Sequence, residues 1–323
     1  MTNGITAAPA TPDWMTVEVC RRASAAEGVA LFELRAANGR SLPAFEAGAH
    51  IDVRLPGGAL RQYSLCNDPA EADRYELAIQ LEANGRGGSQ AAHERLAVGS
   101  RVEVSAPRNL FALRDGRHAV LIAGGIGITP ILAMADHLRD RPHALHYAGR
   151  SRAGMALLDR VTRDHPGAHL WIGDEGRRMD LPALIAAAPP GAQVCVCGPA
   201  RLIQGVEAAC AARPDLILTF EHFDPVDTAL DPDRDHAFTV ELLDSDLTLT
   251  VPATRSLLDV LHETGIDVPC DCGEGLCGTC EIEVADGGID HRDRVLTRTE
   301  RAEGRRMMAC CSRAAGDRLK VRL

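Results

Sequence analysis

The chain has 323 residues and a formal net charge of -10. This length predicts two or three domains, and the negative charge disfavours nucleic acid and anionic membranes as partners. No stretch approaches the roughly 18 apolar residues that span a bilayer. The first 14 residues are polar, rich in Ala and Pro and lack the basic start of a signal peptide. We therefore expect a disordered tail at 1–14 and a cytoplasmic, monomeric protein.

Residues 15–115 have the pattern of an antiparallel β-barrel. Short segments that alternate apolar and polar residues are separated by Gly, Pro or Asn, and strands at this spacing are typical of small barrels. The predicted strands are 16–21, 30–34, 50–55, 75–81 and 101–105.

Two motifs in this barrel predict a flavin. In the first, Arg61 can neutralise a phosphate, the ring of Tyr63 can pack on the isoalloxazine or ribityl chain, and the Ser64 hydroxyl can bond near N5. The second is the Gly85-Arg86-Gly87-Gly88-Ser89 loop before a predicted helix at 90–96, where backbone amides and a hydroxyl form an anion site. Either motif alone is weak, since the first occurs by chance and the second can be a flexible loop, but the pair indicates a flavin phosphate site.

Residues 116–223 alternate strands and helical patterns, which predicts a doubly wound parallel sheet. The predicted strands are 118–122, 144–148, 169–172 and 193–197. A glycine turn follows the first of them and opens a helix, so that a pyrophosphate can approach the backbone. The candidate residues there are Gly124, Gly125, Gly127, Thr129 and Pro130.

A second turn, Cys197-Gly198-Pro199, ends another strand at the same edge of the sheet, where ligands bind. Cys197 is either a buried apolar residue or a contact beside the nicotinamide C4, and the other motifs favour the contact. The strand at 144–148 is followed by Arg150 and Arg152, which can hold a ribose 2′-phosphate or other parts of the dinucleotide. These residues alone leave NADH and NADPH open.

The C-terminal part carries the strongest motif. Residues 224–236 are rich in Asp and Pro and predict a linker, and 237–323 predict a domain with a hairpin at 238–251 and a helix at 256–263. Cys272, Cys277 and Cys280 have the C-x4-C-x2-C spacing of plant-type 2Fe–2S ligands, with a distant fourth cysteine. Zinc is the alternative, but its ligand pairs usually come as C-x2-C twice. We interpret the cysteines outside this region as small apolar residues, namely Cys20, Cys66, Cys195 and Cys210.

These motifs together resemble the phthalate dioxygenase reductase family, which includes the vanillate O-demethylase reductases. The resemblance covers nearly the whole chain and extends to the His291-Arg292-Asp293 and Cys310-Cys311-Ser312-Arg313 segments. It implies a multidomain protein in which a flavin β-barrel and an NAD-binding α/β domain precede an α+β β-grasp ferredoxin domain. It also implies FMN, NADH and a Rieske-type oxygenase partner.

The resemblance further implies roles for individual residues. Cys310 rather than Cys311 is the fourth cluster ligand, and Glu221 and Phe223 lie near the contact between flavin and nicotinamide. We expect Ser64, Cys197 and Glu221 to be the catalytic group. Cys270 stands where the family has a small residue such as serine.

The partner is the least determined feature. Asp271, Glu274 and Glu281 flank the cluster loop, so a basic patch on the oxygenase is expected to dock there, although a solvated acidic surface explains the same charges. A reductase for a haem monooxygenase is the alternative with the same chemistry. A redox sensor without turnover is a second alternative, which the paired glycine turns argue against.

Overall fold

The computed structural model describes residues 14–83, 87–114, 117–223, 230–231, 233–270, 272–276 and 278–323, with the backbone alone at 298–299. The chain divides into two compact units, Met1–Phe223 and Asp224–Leu323. No helix within the described ranges is long and apolar enough to cross a membrane. The predicted tail lies outside the described residues except for Trp14, whose ring centroid lies 4.1 Å from the guanidinium carbon of Arg54.

The first unit begins with a six-stranded antiparallel sheet. Its elements are β1 (Met15–Ala26), β2 (Val29–Ala36), β3 (His50–Arg54), β4 (Leu60–Ser64), β5 (Tyr75–Gln80), α1 (Gly88–Arg95) and β6 (Arg101–Val104). The strand order is β4-β3-β6-β1-β2-β5. The Cys66 amide, just after β4, donates to the Glu76 carbonyl on β5 at 3.0 Å, so the two edges of the sheet meet as in the predicted barrel. Alternate residues such as Val17, Val19 and Phe32 have no exposed surface and fill the interior.

A five-stranded parallel sheet follows in the same unit. Its elements are β7 (Ala119–Gly124), α2 (Ile128–His137), β8 (His143–Gly149), α3 (Leu158–Asp164), β9 (His169–Ile172), α4 (Leu181–Ala186), β10 (Gln193–Cys197), α5 (Ala200–Cys210) and β11 (Ile217–Glu221). The strand order is β11-β10-β7-β8-β9. Helices α2 and α3 pack on one face and α4 and α5 on the other. From β7 the strands are added first on one side, as β8 and β9, and then on the other, as β10 and β11, so the strand order reverses between β7 and β10. Dinucleotides bind at such a reversal point.

The second unit is built on a mixed five-stranded sheet. Its elements are β12 (Phe238–Leu242), β13 (Leu247–Val251), α6 (Leu257–Glu263), β14 (Glu281–Asp286), β15 (Ile289–Asp290), α7 (Arg298–Glu303), β16 (Arg306–Met308), β17 (Arg313–Ala314) and β18 (Arg318–Arg322). The sheet order is β13-β12-β18-β14-β16, in which β12 and β18 are parallel. Helix α6 begins with a capping box between Ser256 and Asp259 and buries Leu257 and Leu261 against the sheet.

A buried group of charges joins the barrel to the parallel sheet. Asp136 of α2 has a side chain that is 1% exposed, and its carboxylate accepts hydrogen bonds from Arg160 at 2.5 Å, His165 at 2.9 Å and Arg139 at 2.9 Å. Arg160 also donates to Glu76 of β5 at 2.8 Å. Burial alone would raise the pKa of Asp136, but the hydrogen bonds and charges of these partners lower it. The carboxylate is therefore ionised and fully paired, as a buried charge must be.

We expect Asp136→Ala to lower the free energy of unfolding of the first unit by about 3–5 kcal/mol, because it leaves Arg160 partly buried without this partner. The measurement is denaturant unfolding followed by tryptophan fluorescence, since Trp14 and Trp171 are the two tryptophans of the chain and both lie in this unit. Asp164→Ala is the matched control: Asp164 pairs with Arg163 at the surface, and its loss should cost no more than about 1 kcal/mol. Equal losses in the two variants would contradict this account.

Candidate functional site

The two flavin motifs lie against each other. Arg61, Tyr63 and Ser64 lie on β4, and a Cβ placed on Gly88 would lie 2.6 Å from Nε of Arg61. Helix α1 begins at Gly88, two residues earlier than predicted, because Gly87 takes the left-handed conformation with φ of 78°. The Arg61 side chain thus lies over the start of this helix, where anions bind. Gly85 and Arg86 of the motif lie outside the described residues.

Two other predicted flavin residues have defined surroundings. The Ser89 hydroxyl accepts a hydrogen bond from the Glu82 amide at 3.0 Å, so it stabilises the loop before α1 and retains its own proton for donation. Tyr63 is half-buried against the barrel core, and burial raises its pKa to about 12. The phenol therefore remains neutral at physiological pH.

The three predicted catalytic residues converge on one oxygen atom. The Ser64 hydroxyl donates to Oε2 of Glu221 at 3.1 Å, and Sγ of Cys197 lies 4.0 Å from the same atom. Cys197 and Glu221 are partners in the parallel pairing of β10 with β11, whereas Ser64 comes from the barrel. Burial raises the pKa of Glu221 to about 8, and the Ser64 hydrogen bond lowers it only in part. Near neutral pH the carboxyl is therefore mostly protonated.

The glycines of the two predicted dinucleotide turns hold the turns together. A Cβ on Gly127 would lie 2.3 Å from the Cys197 carbonyl oxygen, and one on Gly198 would lie 3.0 Å from the Gly124 backbone. Gly125 differs from them, since it has φ of 56° and open space around its Cα. The sequence predicts that these glycines admit a pyrophosphate; in the structure Gly124, Gly127 and Gly198 are needed first for close packing, and Gly125 faces open space.

The remaining predicted dinucleotide residues are spread along the same edge. The Thr129 hydroxyl donates to the Ile126 carbonyl at 3.1 Å, and Pro130 is buried in the first turn of α2. Arg150 is exposed just after β8, and Pro199 precedes α5. Phe223 is 36% exposed just after β11.

Sequence reasoning missed one residue at this edge. Arg152, predicted as a candidate for a 2′-phosphate, donates to both carboxylate oxygens of Glu175, at 2.5 and 3.1 Å. Glu175 belongs to a short 3-10 turn after β9, and no spacing rule links it to Arg152. The only signal in the sequence was that Glu175 follows a predicted parallel strand, as Arg152 does.

The cluster loop has the backbone that its glycines predict. Gly273, Gly275 and Gly278 have φ of 65°, 69° and 79°, and Sγ of Cys272 accepts hydrogen bonds from the Glu274 and Leu276 amides at 3.3 and 3.4 Å. Amide donors to a ligand sulfur are a feature of iron–sulfur sites.

The structure describes three of the four predicted cluster ligands, Cys272, Cys280 and Cys310. Cys280 lies beside Cys270 and Cys310, and Cys310 lies beside Cys311. Cys277 lies outside the described residues, and among the remaining ones no three His, Cys, Asp or Glu side chains form a group that could hold a metal ion. Of the cysteines interpreted as small apolar residues, Cys66, Cys195 and Cys210 are buried, whereas Cys20 is exposed on β1.

The segment 291–293 supports the cluster loop from behind. The Arg294 amide donates to the Gly275 carbonyl at 2.8 Å, and a Cβ on Gly275 would lie 3.1 Å from Cα of Asp293 and 2.6 Å from Sγ of Cys311. The Asp293 carboxylate in turn accepts from the Val295 and Leu296 amides. Gly275 is therefore a position in the loop where only glycine fits, because a side chain would collide with Asp293 and Cys311.

Comparison with known proteins places the chain in a family. Residues 240–315 match the 2Fe-2S iron-sulfur cluster binding domain family. Phenoxybenzoate dioxygenase subunit beta of Ectopseudomonas oleovorans is 45% identical over 89% of this chain and 90% of its own. Vanillate O-demethylase oxidoreductase of a Pseudomonas species is 40% identical over 90% of this chain and 93% of its own.

Solved structures agree with the sequence relatives. Phthalate dioxygenase reductase, described as a modular structure for electron transfer from pyridine nucleotides to [2Fe-2S], has a TM-score of 0.69 and 36% identity over 96% of this chain and 98% of its own. An intact self-sufficient cytochrome P450 monooxygenase has a TM-score of 0.79 and 47% identity over 96% of this chain, which spans 41% of that longer protein. The chain belongs to the phthalate dioxygenase reductase and vanillate O-demethylase oxidoreductase family, and the predicted fold class is confirmed.

We expect Glu221→Gln to change the pH dependence of stability. A carboxyl whose pKa rises from 4.5 to about 8 on folding contributes stability that is complete below pH 4.5 and is lost as the pH rises through 8. Between these values the wild type should lose about 1.4 kcal/mol of unfolding free energy per pH unit relative to the variant.

Denaturant unfolding of the flavin-bound protein, followed by tryptophan fluorescence at pH values from 5 to 9, measures this difference in unfolding free energy. The control is Glu27→Gln, which removes an exposed carboxylate and should leave the curve parallel to that of the wild type. A Glu221→Gln curve parallel to the wild type would mean that Glu221 ionises normally in the folded protein.

Proposed function

We propose that the chain is the NADH-dependent reductase component of an oxygenase or O-demethylase system. The observation that carries the proposal is the convergence of Ser64, Cys197 and Glu221, which brings the flavin strand of the barrel to the ligand-binding edge of the parallel sheet. Hydride transfer needs a nicotinamide and a flavin at such a junction. Full-length relatives named as oxidoreductase or dioxygenase subunits support the same assignment.

FMN is the flavin we assign, by the family resemblance. When bound, it would convert the two electrons of a hydride into single electrons that a 2Fe–2S cluster can accept. The residues present fit it: Arg61 lies over the start of α1, and together they offer positive charge and amide donors to a phosphate. Tyr63 would pack on the flavin, Ser64 would bond near N5, and Gly87, Gly88 and Ser89 would line the phosphate.

NADH would bind along the C-terminal edge of the parallel sheet. Gly125, with open space above it, and the amides at the start of α2 would receive the pyrophosphate, and Arg150 would add charge there. Cys197, Gly198 and Pro199 would position the nicotinamide, and Phe223 would close the far side of the flavin–nicotinamide contact. Glu221, protonated near neutral pH, would accept the hydrogen bond of the Ser64 hydroxyl at Oε2 and keep a negative charge away from the reacting atoms.

Cys272, Cys277, Cys280 and Cys310 would hold the 2Fe–2S cluster. The positive φ values of Gly273, Gly275 and Gly278 and the amides aimed at Cys272 fit a loop that wraps such a group. Glu274 lies within this loop and Glu281 directly follows Cys280, so we place the docking site of a partner with a basic patch there. Cytoplasmic location and a monomeric state stay predictions.

A haem monooxygenase is the second candidate partner. The specific support is the 47% identity to part of a self-sufficient cytochrome P450 monooxygenase. The two candidate partners are separated by measuring whether the protein reduces a purified Rieske-type oxygenase or a purified P450 with NADH as the electron donor.

Cys272→Ser should abolish the cluster yet keep NADH-dependent reduction of ferricyanide, because hydride transfer to the flavin needs no iron. Reduction of cytochrome c or of a partner oxygenase should fall at least a hundredfold. Iron content and the visible spectrum confirm the loss of the cluster. Cys20→Ser is the matched control, since it removes an exposed cysteine on β1 of the first unit, and it should retain both activities. Loss of flavin reduction in Cys272→Ser would refute this division between the two units.

A further inference from the structure

The ends of β8 and β9 form one small surface at the ligand-binding edge. They are adjacent parallel strands, and β8 is the second strand of the dinucleotide-binding half. The residue after that strand faces the adenosine ribose in this type of fold, where a carboxylate selects the 2′-hydroxyl of NAD and an arginine accommodates the 2′-phosphate of NADP. Here β8 is followed by arginines and β9 by Asp174 and Glu175.

Backbone contacts hold the two loops together. The Asp174 amide donates to the Arg150 carbonyl at 2.9 Å, and a Cβ on Gly173 would lie 3.3 Å from the same oxygen. Gly176 then takes a left-handed φ of 72° and ends the turn. Glu175 is thus fixed beside the loop after β8, where it accepts both hydrogen bonds from Arg152.

We propose that Glu175 determines the nicotinamide preference of this protein by engaging Arg152. The proposal rests on the proposed function. With Glu175 in place, an incoming 2′-phosphate meets an arginine whose Nε and Nη2 donors already bind a carboxylate, and that carboxylate repels the phosphate. A ribose 2′-hydroxyl meets no such penalty. This edge of the sheet carries arginines that are typical of an NADPH site, and Glu175 therefore converts it into a site that prefers NADH.

The exposure of the pair supports a role in selection over one in folding. The Arg152 side chain is 53% exposed and that of Glu175 is 36% exposed, and exposed ion pairs contribute little to stability. Mutual hydrogen bonding lowers the pKa of Glu175 and raises that of Arg152, so both remain charged. Both groups can therefore be changed without disturbing the core.

The test compares kcat/KM for NADH and NADPH, with ferricyanide as acceptor, in the flavin-loaded full chain at low salt. We expect the wild type to prefer NADH. Glu175→Gln should raise kcat/KM for NADPH about tenfold or more through KM, since a freed guanidinium gains a charge-assisted bond to phosphate, and tenfold corresponds to about 1.4 kcal/mol. Values for NADH should change less than twofold. Adding Arg152→Ala to Glu175→Gln should remove the gain.

A binding measurement separates recognition from turnover. Isothermal titration calorimetry with adenosine 2′,5′-bisphosphate and with 5′-AMP reports the contribution of the 2′-phosphate without any hydride transfer. Glu175→Gln should tighten the first ligand about tenfold and leave the second unchanged. Asp215→Asn is the matched control, because the exposed Asp215 carboxylate also accepts two hydrogen bonds from one arginine, Arg213, at the opposite end of the sheet, and it should alter neither ratio.

Three results would overturn the proposal. The first is an unchanged NADPH to NADH ratio in Glu175→Gln, and the second is a gain that persists after Arg152→Ala. The third is a loss of NADH affinity in Glu175→Gln without a gain for NADPH, which would make Glu175 a direct ribose ligand. In each case NADH oxidation by the wild type leaves the proposed function standing, whereas a wild type that oxidises neither nucleotide refutes the proposed function itself.

Discussion

The hydrogen bonds by which Arg160 joins the buried Asp136 to Glu76 are the constraint on which the first unit depends. A buried carboxylate without partners would be neutralised or would unfold the protein, so its three donors must come to it. One of these donors reaches across to the barrel, and this fixes the barrel against the parallel sheet. The same junction brings Ser64 to Glu221. The charge network therefore helps to hold together the predicted catalytic group, although it contains none of its residues.

A second constraint acts at atomic scale within the parallel sheet. The turns after β7 and β10 touch so closely that Gly127 and Gly198 have no room for a side chain. The pairing of β10 with β11 sets Cys197 beside Glu221, and Gly125 in the turn after β7 faces open space. In the second unit Gly275 has the corresponding role, because it seats the cluster loop against Asp293 and Cys311. In both units glycine serves packing as much as ligand access.

Local patterns predict local features well in this chain. The strands His169–Ile172 and Gln193–Cys197 have the predicted bounds, because alternation or a buried apolar run specifies a strand directly. The start of α1 was predicted two residues late, since Gly88 was assigned to the loop, whereas α6 begins one residue after its predicted start. The pairs that assemble the site were not predictable: Asp136 and Glu175 belong to no motif, and their partners are set by tertiary packing. The convergence of Ser64 with Glu221 was expected only through family resemblance.

The central claim is that one chain takes a hydride from NADH and delivers single electrons through its own cluster. An anaerobic titration of the full chain with NADH, followed by flavin absorption and by the electron paramagnetic resonance of the cluster, tests it most directly. The account predicts that NADH reduces both centres, with an uptake of about three electrons per chain, two on the flavin and one on the cluster. Reduction of the flavin with a cluster that stays oxidised, or uptake of only two electrons, would contradict it.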